Sequence, residues 1–291
     1  MELIRRVSLM REISREKRGR GKKIALVPTM GALHDGHLSL VRRARDLADI
    51  VVVSIFVNPT QFGPREDYER YPRDLARDAD LCIAEGVDYV FAPEANDMYP
   101  PGYRTWVEVE GLSSVLEGAS RPGHFRGVCT VVLKLLNIVR PHFALFGQKD
   151  AQQAIIVRRM VRDLNVDVEL VVCETVRQPD GLALSSRNAY LSPEDRAAAT
   201  VLFRALERAR VLVEDEGETD AARVEREVRE VLAGEPRVRV DYVALVDEDD
   251  LQPVERIERP VLVALAAWLG DTRLIDNVIV KPRKRGGEQP S

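Results

Sequence analysis

The sequence predicts an α/β protein, in which a doubly wound parallel sheet occupies the first two-thirds of the chain and a smaller α+β domain follows. In the first part, short β-rich runs alternate with helical patterns, which is typical of right-handed βαβ units. Several of these runs are almost continuously apolar, as strands are when helices cover both faces of a parallel sheet. The alternation ends near residue 175. We therefore expect two domains, 1–175 and 176–291.

Each element of the first domain is predicted from its own stretch of sequence. The apolar, β-rich runs predicted to be strands are Ile24–Val27, Ile50–Val57, Tyr89–Phe91, Phe143–Phe146 and Val168–Val172. The periodic stretches predicted to be helices are Gly36–Leu47, Asp74–Glu85, Gly127–Val139 and Ala151–Leu164. In such a Rossmann-like sheet, ligands bind outside the carboxyl ends of the strands.

The second domain begins after a turn signal at 178–181, Gln-Pro-Asp-Gly. Ser192 followed by Pro193 and two acidic residues predicts a helix start, and the charged helical pattern continues through Pro193–Ala233. The strands predicted after it are Val238–Val246, Val261–Leu269 and Leu274–Val280. The basic tail, Lys281–Arg285, is predicted to be a solvated chain end.

Composition excludes several classes of protein. The chain has 291 residues, of which 45% are hydrophobic and 31% charged, so a disordered chain is excluded. Lysine and arginine number 43 and aspartate and glutamate 47, giving a net charge of −4. Because this balance offers no overall attraction for a polyanion, we expect no nucleic-acid partner.

The cysteines and the apolar runs indicate in which cellular compartment the protein is found. Cys82, Cys129 and Cys173 lie far apart without a C-x-x-C pair, so neither a disulfide framework nor a cysteine-rich zinc module is indicated. The longest apolar runs fall short of the roughly 18 residues of a membrane helix. The first residues lack the apolar segment of a secretory signal. We expect a cytoplasmic protein with no membrane partner.

The most informative segment is Pro28–His37, which joins a predicted strand to a predicted helix. Gly31 and Gly36 allow close approach of a ligand, and we expect free N–H groups at the helix start to attract phosphate. His34 and His37 are three residues apart, so both imidazoles can face one anion. Two alternatives are that the histidines bind a metal, although no cysteine or third histidine is near, or that they satisfy loop carbonyls.

Three further polar clusters follow predicted strands or precede the second domain. They are Asn58–Gln61, which supplies two amides, Gly147–Gln153, which contains Lys149, and Leu184–Arg187, which supplies two hydroxyls and a guanidinium. Each alone is also explained by turn chemistry, but their recurrence predicts a shared cleft. The sequence contains no G-x-x-x-x-G-K-[ST] loop, no G-x-G-x-x-G turn and no G-x-S-x-G elbow. This disfavours a P-loop ATPase, an ordinary dinucleotide oxidoreductase and an α/β-hydrolase.

These motifs together resemble those of the pantothenate synthetase family, nucleotidyltransferases with an H-x-G-H signature. The segments that carry the resemblance are Pro28–His37 with His34-Asp-Gly-His37, Asn58–Phe62, Tyr71–Arg73, Gly123–Gly127, Phe146–Asp150 and Ser185–Asn188. Strong motifs run from about residue 20 to residue 190, and the likeness continues weakly through the second domain.

The resemblance implies an AMP-forming ligase. ATP and (R)-pantoate would give pantoyl adenylate and pyrophosphate, and the amine of β-alanine would then displace AMP to form pantothenate. Catalysis would depend on alignment and on stabilising charge at the phosphates. Mg²⁺ would act as the cofactor by bridging phosphate oxygens. The resemblance also implies a homodimer built through the first domain, with the second domain acting as a lid.

Site residues follow from the same resemblance. The implied ATP-binding residues are Met30, Gly31, Ala32, Leu33, His34, Asp35, Gly36, His37, Gly147, Gln148, Lys149, Asp150, Val176, Leu184, Ser185, Ser186 and Arg187. Among them His37 would be the proton donor, and His34 and Lys149 would complete the catalytic set. Gln61 and Gln153 would hold pantoate, and Gln61 would also border the β-alanine site. Asp78 would lie near the nucleotide and its magnesium, although Arg77 stands where some members have a second acid.

Two other functions remain open from the residues. One is transfer of AMP onto a small phosphorylated acceptor within the same fold, against which the uncharged amides of Gln61 and Gln153 argue. The other is a non-catalytic nucleotide sensor or an RNA-binding module, which the lack of a basic composition disfavours.

Overall fold

The computed structural model describes residues 1–64 and 66–283 and divides the chain into two compact units. The first unit contains Met1–Val176 and Leu184–Ser186, and the second contains Arg177–Ala183 and the chain from Arg187 onward. The chain thus leaves the first unit, returns to it for three residues and leaves again. Of the predicted basic tail, the residues after Arg283 lie outside the described residues.

The first unit is built on a six-stranded, fully parallel sheet. Its strands are β1 (Glu2–Ile4), β2 (Ile24–Thr29), β3 (Ile50–Ile55), β4 (Tyr89–Phe91), β5 (Phe143–Gly147) and β6 (Glu169–Cys173). They lie in the order β1-β4-β3-β2-β5-β6. The strand order reverses between β2 and β5, which is the topological switch point of a doubly wound fold. The predicted fold class is confirmed.

Helices cover this sheet on both faces. They are α1 (Val7–Gly19), α2 (Asp35–Leu47), α3 (Leu75–Ala84), α4 (Ala95–Met98), α5 (Glu117–Ser120), α6 (His124–Val139) and α7 (Ala151–Asp163). Alternate strand residues such as Ala25, Val51 and Val90 pack with Val41 of α2 and Cys82 of α3 in one apolar cluster. Because side chains alternate along a strand, Leu26 and Val52 face the opposite side, on which α1 and α6 contact β2.

The first two elements, β1 and α1, were not predicted from the sequence. β1 has three residues, of which only Ile4 is buried, so it carries no alternating or continuous apolar pattern. It lies at the edge of the sheet, where it pairs with a single neighbouring strand, β4. The helix α1 is strongly polar and buries only Met10 and Ser14 fully, which explains why its pattern is weak. Elsewhere in this sheet the predicted strands differ from the observed ones only at their ends.

The second unit is an antiparallel three-stranded sheet covered by helices, as predicted. Its helices are α8 (Pro193–Ala198), α9 (Thr200–Arg210) and α10 (Ala221–Ala233), and its strands are β7 (Val238–Asp247), β8 (Val261–Leu269) and β9 (Thr272–Val280), in the order β7-β8-β9. The helical stretch predicted as continuous is interrupted after a π-helical turn at Val211–Asp215. Gly217 adopts a φ of +77° there, and the Asp220 side chain caps α10 by accepting from Ala222 N–H. In the described part of the chain, no helix combines the length and the apolar character needed to cross a membrane.

Gly181 allows a tight contact in the second unit and provides a test of this packing. Its φ is +93°, and a Cβ there would lie 2.0 Å from Cδ1 of Phe203. The Arg177 guanidinium, 4.9 Å from the centre of the Phe203 ring, limits the room for that ring to move. Gly102 has a similar φ of +86° with nothing within 4 Å of its would-be Cβ.

We expect Gly181→Ala to lower the free energy of unfolding by about 3 kcal/mol, because strain at positive φ adds to overpacking. Gly102→Ala, the matched control, should cost about 1 kcal/mol, since it introduces the strain alone. Denaturant titration of both variants measures the two losses. Equal losses would contradict the packing described for Gly181.

Candidate active site

The polar motifs predicted to share a cleft lie at one edge of the parallel sheet. β2 pairs with β3 so that Thr29 is opposite Ile55, and with β5 so that Ala25 is opposite Phe143. The same offset brings Gly147, the last residue of β5, level with Thr29. The segments that follow β3, β2 and β5 therefore begin side by side, and two of them flank the switch point between β2 and β5, where ligands bind in open α/β sheets.

A buried carboxylate holds the segment that follows β2. Asp78, on α3, is 1% exposed and accepts hydrogen bonds from Ala32 N–H at 2.9 Å and Leu33 N–H at 2.8 Å. The segment bends through positive φ at Gly31 (85°) and Ala32 (51°). A Cβ on Gly31 would lie 2.9 Å from Oδ2 of Asp78, so only glycine fits there. Burial raises the pKa of Asp78, although the two N–H donors oppose that shift.

The two histidines of the motif cap α2 with their own rings. His34 Nδ1 accepts from Gly36 N–H at 3.2 Å, and His37 Nδ1 accepts from His34 N–H at 3.3 Å. The ring centres are 4.1 Å apart. This reciprocal arrangement is a capping box with imidazoles in place of the usual hydroxyl and carboxylate. A Cβ on Gly36 would lie 2.9 Å from the His34 ring, so this glycine makes room for the histidine.

These bonds define the protonation of both rings. A backbone N–H can only donate, so each Nδ1 is unprotonated and each Nε2 carries the proton of a neutral imidazole. Burial lowers the pKa of His37 to about 3, assisted by the neighbouring His34 and by the positive charge of Lys149. Burial also lowers the pKa of His34. Within the described residues, neither Nε2–H meets an acceptor, so two neutral donors are available for a ligand.

The expectation of free N–H groups at this helix start is wrong for most of the turn. Ala32 and Leu33 donate to Asp78, Gly36 donates to His34, and His34 donates to His37. The alternative that the histidines satisfy loop carbonyls is also wrong, because they accept from N–H groups instead. Asp78, the predicted magnesium neighbour, already uses both oxygens in holding the loop, and its contact with metal stays a prediction. Among the described residues, no cluster of three or more His, Cys, Asp or Glu side chains could hold a metal ion.

The segment after β3 presents an oriented amide. Asn58 is fully buried and donates from Nδ2 to Oε1 of Gln61 at 3.1 Å and to the carbonyl of Gly127 at 3.2 Å. Its own Oδ1 accepts from the Tyr99 hydroxyl at 2.9 Å and the Thr60 hydroxyl at 2.9 Å. Oε1 of Gln61 accepts from Asn58, and Nε2 donates one N–H to Sδ of Met30 at 3.2 Å, so the second N–H of Nε2 remains for a ligand. Gln61 and Met30, both predicted site residues, are therefore in contact.

The segment after β5 places charge beside the histidines. Gly147 ends β5, Gln148–Asp150 form a single 3₁₀ turn, and α7 begins at Ala151. Lys149 Nζ lies 3.6 Å from a carboxylate oxygen of Asp150. Lys149 lowers and Asp150 raises the pKa of both His34 and His37, so all four groups are neighbours. Gln153, in the first turn of α7, is half-buried and its side chain makes no hydrogen bond to the described residues.

The segment 184–186 returns to the first unit and joins the same region. Leu184 N–H donates to the carbonyl of Val176 at 3.0 Å, and Cβ of Leu184 is 3.8 Å from the position of a Cβ on Gly36. The hydroxyl of Ser186 lies 3.3 Å from that of Tyr71. Ser185 lies between them, whereas Arg187, also predicted to bind ATP, belongs to the second unit. The structure thus gathers the other predicted site residues within the first unit.

Sequence reasoning assigned no role to several residues that shape this region. Tyr71 and His124 lie in motifs that were noticed, Tyr71–Arg73 and Gly123–Gly127, yet nothing in their local pattern shows what they contact. His124 Nδ1 is 2.8 Å from the carbonyl oxygen of Gln61. Tyr99 and Thr60 orient Asn58, and only the position of Thr60 between two amides could have indicated this.

Comparison with known proteins shows similarity along nearly the whole chain. A family model described as pantoate-beta-alanine ligase matches residues 2–279. A pantothenate synthetase from Thermotoga petrophila is 59% identical over 280 residues, covering 96% of this chain and 100% of that protein. The structure of a pantothenate synthetase from Thermus thermophilus superposes with a TM-score of 0.92 at 49% identity, covering 97% of this chain and 100% of that one.

A third relative was solved with ligands. The pantoate-beta-alanine ligase from Francisella tularensis, complexed with beta-gamma ATP and beta-alanine, has a TM-score of 0.78 to this structure at 35% identity. The match covers 96% of this chain and 97% of that one.

The lowered pKa of His37 predicts a pH-dependent stability. At pH 5 the unfolded chain, with a histidine pKa near 6.5, binds a proton that the folded His37, with a pKa of about 3, does not. The free energy of unfolding must therefore fall as the pH drops below 6.5. Between pH 7 and pH 5 we expect the wild type to lose about 2 kcal/mol more than His37→Asn, which keeps an acceptor for His34 N–H.

Denaturant titrations of both proteins at several pH values measure this difference. As an internal control, the difference between the proteins should change by less than about 0.2 kcal/mol between pH 7 and pH 8, where histidine is mostly neutral in both states. Parallel stability curves down to pH 5 would show that His37 titrates normally in the folded protein.

Proposed function

The chain belongs to the pantoate–β-alanine ligase family and is an enzyme, and from this premise we propose that it forms pantothenate, AMP and pyrophosphate from ATP, (R)-pantoate and β-alanine through pantoyl adenylate. One observation carries the proposal. At the edge where β2, β3 and β5 end, neutral imidazole donors and a lysine are neighbours, and the segment that carries the histidines contacts a buried, oriented amide through Met30. The first set suits phosphate, and the second suits a small hydroxy acid.

In the first step a carboxylate oxygen of pantoate attacks the α-phosphorus of ATP, and the bond to pyrophosphate breaks. Charge grows on the bridging oxygen and on the departing pyrophosphate. We assign Nε2–H of His34 and His37 and the Lys149 ammonium to these oxygens, since preorganised donors lower the barrier where charge develops. His37 then acts by donating a hydrogen bond rather than by releasing its proton, because its pKa of about 3 keeps the ring neutral.

The remaining predicted ATP residues take supporting roles in this proposal. Met30 and Gly31–Gly36 form the loop that carries the histidines, and Gly147, Gln148 and Asp150 form the turn that carries Lys149. Ser185 and Ser186 supply hydroxyls to phosphate oxygens. The assignment of Arg187, which belongs to the second unit, stays a prediction. A site preorganised in this way spends little free energy on ordering when ATP binds.

Gln61 and Gln153 are proposed to bind pantoate. Asn58 orients the Gln61 amide, and of its two Nε2–H groups the one that does not donate to Met30 is left for a carboxylate or hydroxyl oxygen of the ligand. Gln153 lies where α7 begins and keeps both ends of its amide for a ligand. Two amides without a positive charge favour a hydroxy acid over a phosphate ester, which supports pantoate over a phosphorylated acceptor.

In the second step the neutral amine of β-alanine attacks the acyl carbon of the adenylate. The C–N bond forms, the C–O bond to AMP breaks, and the nitrogen gives up a proton to solvent. Adenylation supplies the leaving group that a free carboxylate lacks. We place β-alanine beside Gln61, so that the amide which holds pantoate also borders the approaching amine, in line with the gain from alignment.

Mg²⁺ is proposed to enter with ATP. The described carboxylates of this region, Asp35, Asp78 and Asp150, do not form a cage, and Asp78 already accepts two N–H groups. The donor set therefore suits a cation held mainly by phosphate oxygens and water, which is how Mg²⁺ usually binds nucleotides. When bound, it would neutralise phosphate charge.

The half-reaction tests the proposal directly. With ATP, Mg²⁺ and pantoate but no β-alanine, we expect label from pyrophosphate to appear in ATP, because adenylation precedes attack by the amine. Lys149→Ala should reduce the exchange rate about 100-fold or more, since it removes a charge from the developing phosphate. Lys22→Ala, which changes an exposed lysine paired with Asp49, is the matched control and should exchange normally.

Each alternative has its own outcome in this assay. Exchange that requires β-alanine would contradict the two-step scheme. Exchange with a phosphorylated acceptor and not with pantoate would indicate transfer of AMP onto a phosphate ester.

Calorimetric titration separates recognition of the acid from recognition of the nucleotide. Gln61→Ala and Gln153→Ala should each weaken pantoate binding by ~1–3 kcal/mol, because a polar group of the ligand is left unpaired. ATP binding without pantoate should change little. Gln252→Ala, at an exposed glutamine of the second unit, serves as control and should affect neither ligand. If ATP binding weakens while pantoate binding is unchanged, the assignment of the two amides is wrong.

A further inference from the structure

The start of α6 packs tightly against the turn that carries Gln61. A Cβ on Gly127 would lie 2.3 Å from the carbonyl oxygen of Thr60 and 2.7 Å from Gln61 N, so the helix backbone can approach only because residue 127 is glycine. The carbonyl of Gly127 in turn accepts from Asn58 at 3.2 Å. The Gly123–Gly127 motif, for which the sequence offered no role, is therefore the support of the pantoate-binding segment.

His124, the first residue of α6, forms the second link to this turn. It is 9% exposed, its Nδ1 lies 2.8 Å from the carbonyl oxygen of Gln61, and its Nε2 lies 3.1 Å from Nη1 of Arg121. A carbonyl can only accept and a guanidinium can only donate. His124 must therefore be neutral, with its proton on Nδ1, which is the opposite tautomer from that of His34 and His37.

Arg121 is itself held in place. Its Nε donates to Glu66 Oε1 at 2.8 Å and its Nη2 to Glu66 Oε2 at 2.5 Å, a two-pronged pair in which both side chains are mostly buried. Burial opposes ionisation of Glu66, but the bonds to Arg121 bring its pKa below the ordinary value. Burial lowers the pKa of His124 to about 4, and the charge of Arg121 adds to this, while Glu66 and Glu117 oppose it. Arg121 Nη2 also donates to the Gln61 carbonyl, at the longer distance of 3.5 Å. Donors thus run from Arg121 to Gln61 both directly and, by the shorter bond, through His124.

We infer that His124 is a positioning residue for pantoate: by donating from Nδ1 to the carbonyl of Gln61, it holds the backbone from which the Gln61 amide reaches the substrate. Asn58 holds the other end of the same residue through Oε1. Gln61 is thus fixed at both its main chain and its side chain. The Nε2–H that does not donate to Met30 therefore has a fixed direction in which to meet pantoate. The inference rests on the proposed function, because it assigns a role within the pantoate site.

A purely structural role for His124 would also explain a buried hydrogen bond, and the two roles differ in what they affect. A structural bond stabilises the fold and would leave the two substrates equally affected when it is lost. A positioning bond affects pantoate alone and acts through Gln61. The test must therefore compare the KM values of the two substrates and include a variant that lacks the Gln61 amide.

Two amide substitutions separate the two bonds of His124. The amide nitrogen of Asn can occupy the place of Nδ1, so His124→Asn keeps a donor for the Gln61 carbonyl. The amide of Gln reaches the place of Nε2, so His124→Gln keeps a partner for Arg121 and loses the bond to Gln61. Both substitutions are neutral and polar, and each is the matched control of the other.

In the pantoate-dependent exchange assay we expect His124→Gln to raise the KM for pantoate about tenfold, the size of one lost hydrogen bond, while the KM for ATP changes less than about twofold. His124→Asn should stay within about threefold of the wild type. In a Gln61→Ala background, His124→Gln should have no further effect on the KM for pantoate. His142→Gln, at a histidine that accepts from Ile24 N–H elsewhere in this unit, should lower only the unfolding temperature.

The outcomes are distinct. An unchanged KM for pantoate in folded His124→Gln, equal rises for both substrates, or a full tenfold effect in the Gln61→Ala background would each overturn the inference. Unfolding midpoints, measured for every variant, show that the assays are run on folded protein. If the wild type itself shows no pantoate-dependent exchange, the proposed function fails, whereas normal wild-type exchange with an unaffected His124→Gln variant refutes the role of His124 alone.

Discussion

The candidate site depends on one buried carboxylate, that of Asp78. A loop with two consecutive residues at positive φ, Gly31 and Ala32, would not hold its shape alone, because such backbone is strained and its N–H groups point together. Asp78 accepts both of the N–H groups that the bend brings together, those of Ala32 and Leu33, and so stabilises the loop. With the loop fixed, His34 takes the N-cap position and its ring meets that of His37. Hydrogen bonds from within the protein therefore hold both imidazoles.

Much of the fold and the outline of the site could be predicted from the sequence, since parallel sheets leave strong local signals. Strands buried on both faces read as apolar runs, so β2, β3 and β5 were found close to their observed bounds. Once the strands were identified, the geometry of a parallel sheet indicated where the segments after them lie. The carboxyl ends of parallel strands share an edge, which was enough to predict that His34, Asn58 and Lys149 follow strands that end together.

The parts that could not be predicted depend on long-range contacts without a local pattern. β1 is three residues long and is defined by its pairing with β4, which lies more than eighty residues later. The partner of the Ala32 and Leu33 N–H groups is Asp78, on a different helix, and nothing near either residue indicates it. For the same reason the sequence could not show that most N–H groups around the start of α2 are already paired within the protein. The hydrogen bond between His124 and Gln61 joins residues 63 positions apart, so no local sequence pattern indicates it either.

The path of the chain between the two units has a consequence for how such a protein can be divided or recombined. The first unit includes Leu184–Ser186, yet 177–183 and the chain from Arg187 belong to the second. A fragment that ends at Val176 would lack both the partner of its own Val176 carbonyl and the hydroxyl beside Tyr71. No single cut yields two intact halves. A gene fusion that exchanged the second unit as one contiguous segment would therefore also replace three residues of the first unit. The two units can be exchanged between related proteins only together, or with those three residues changed as well.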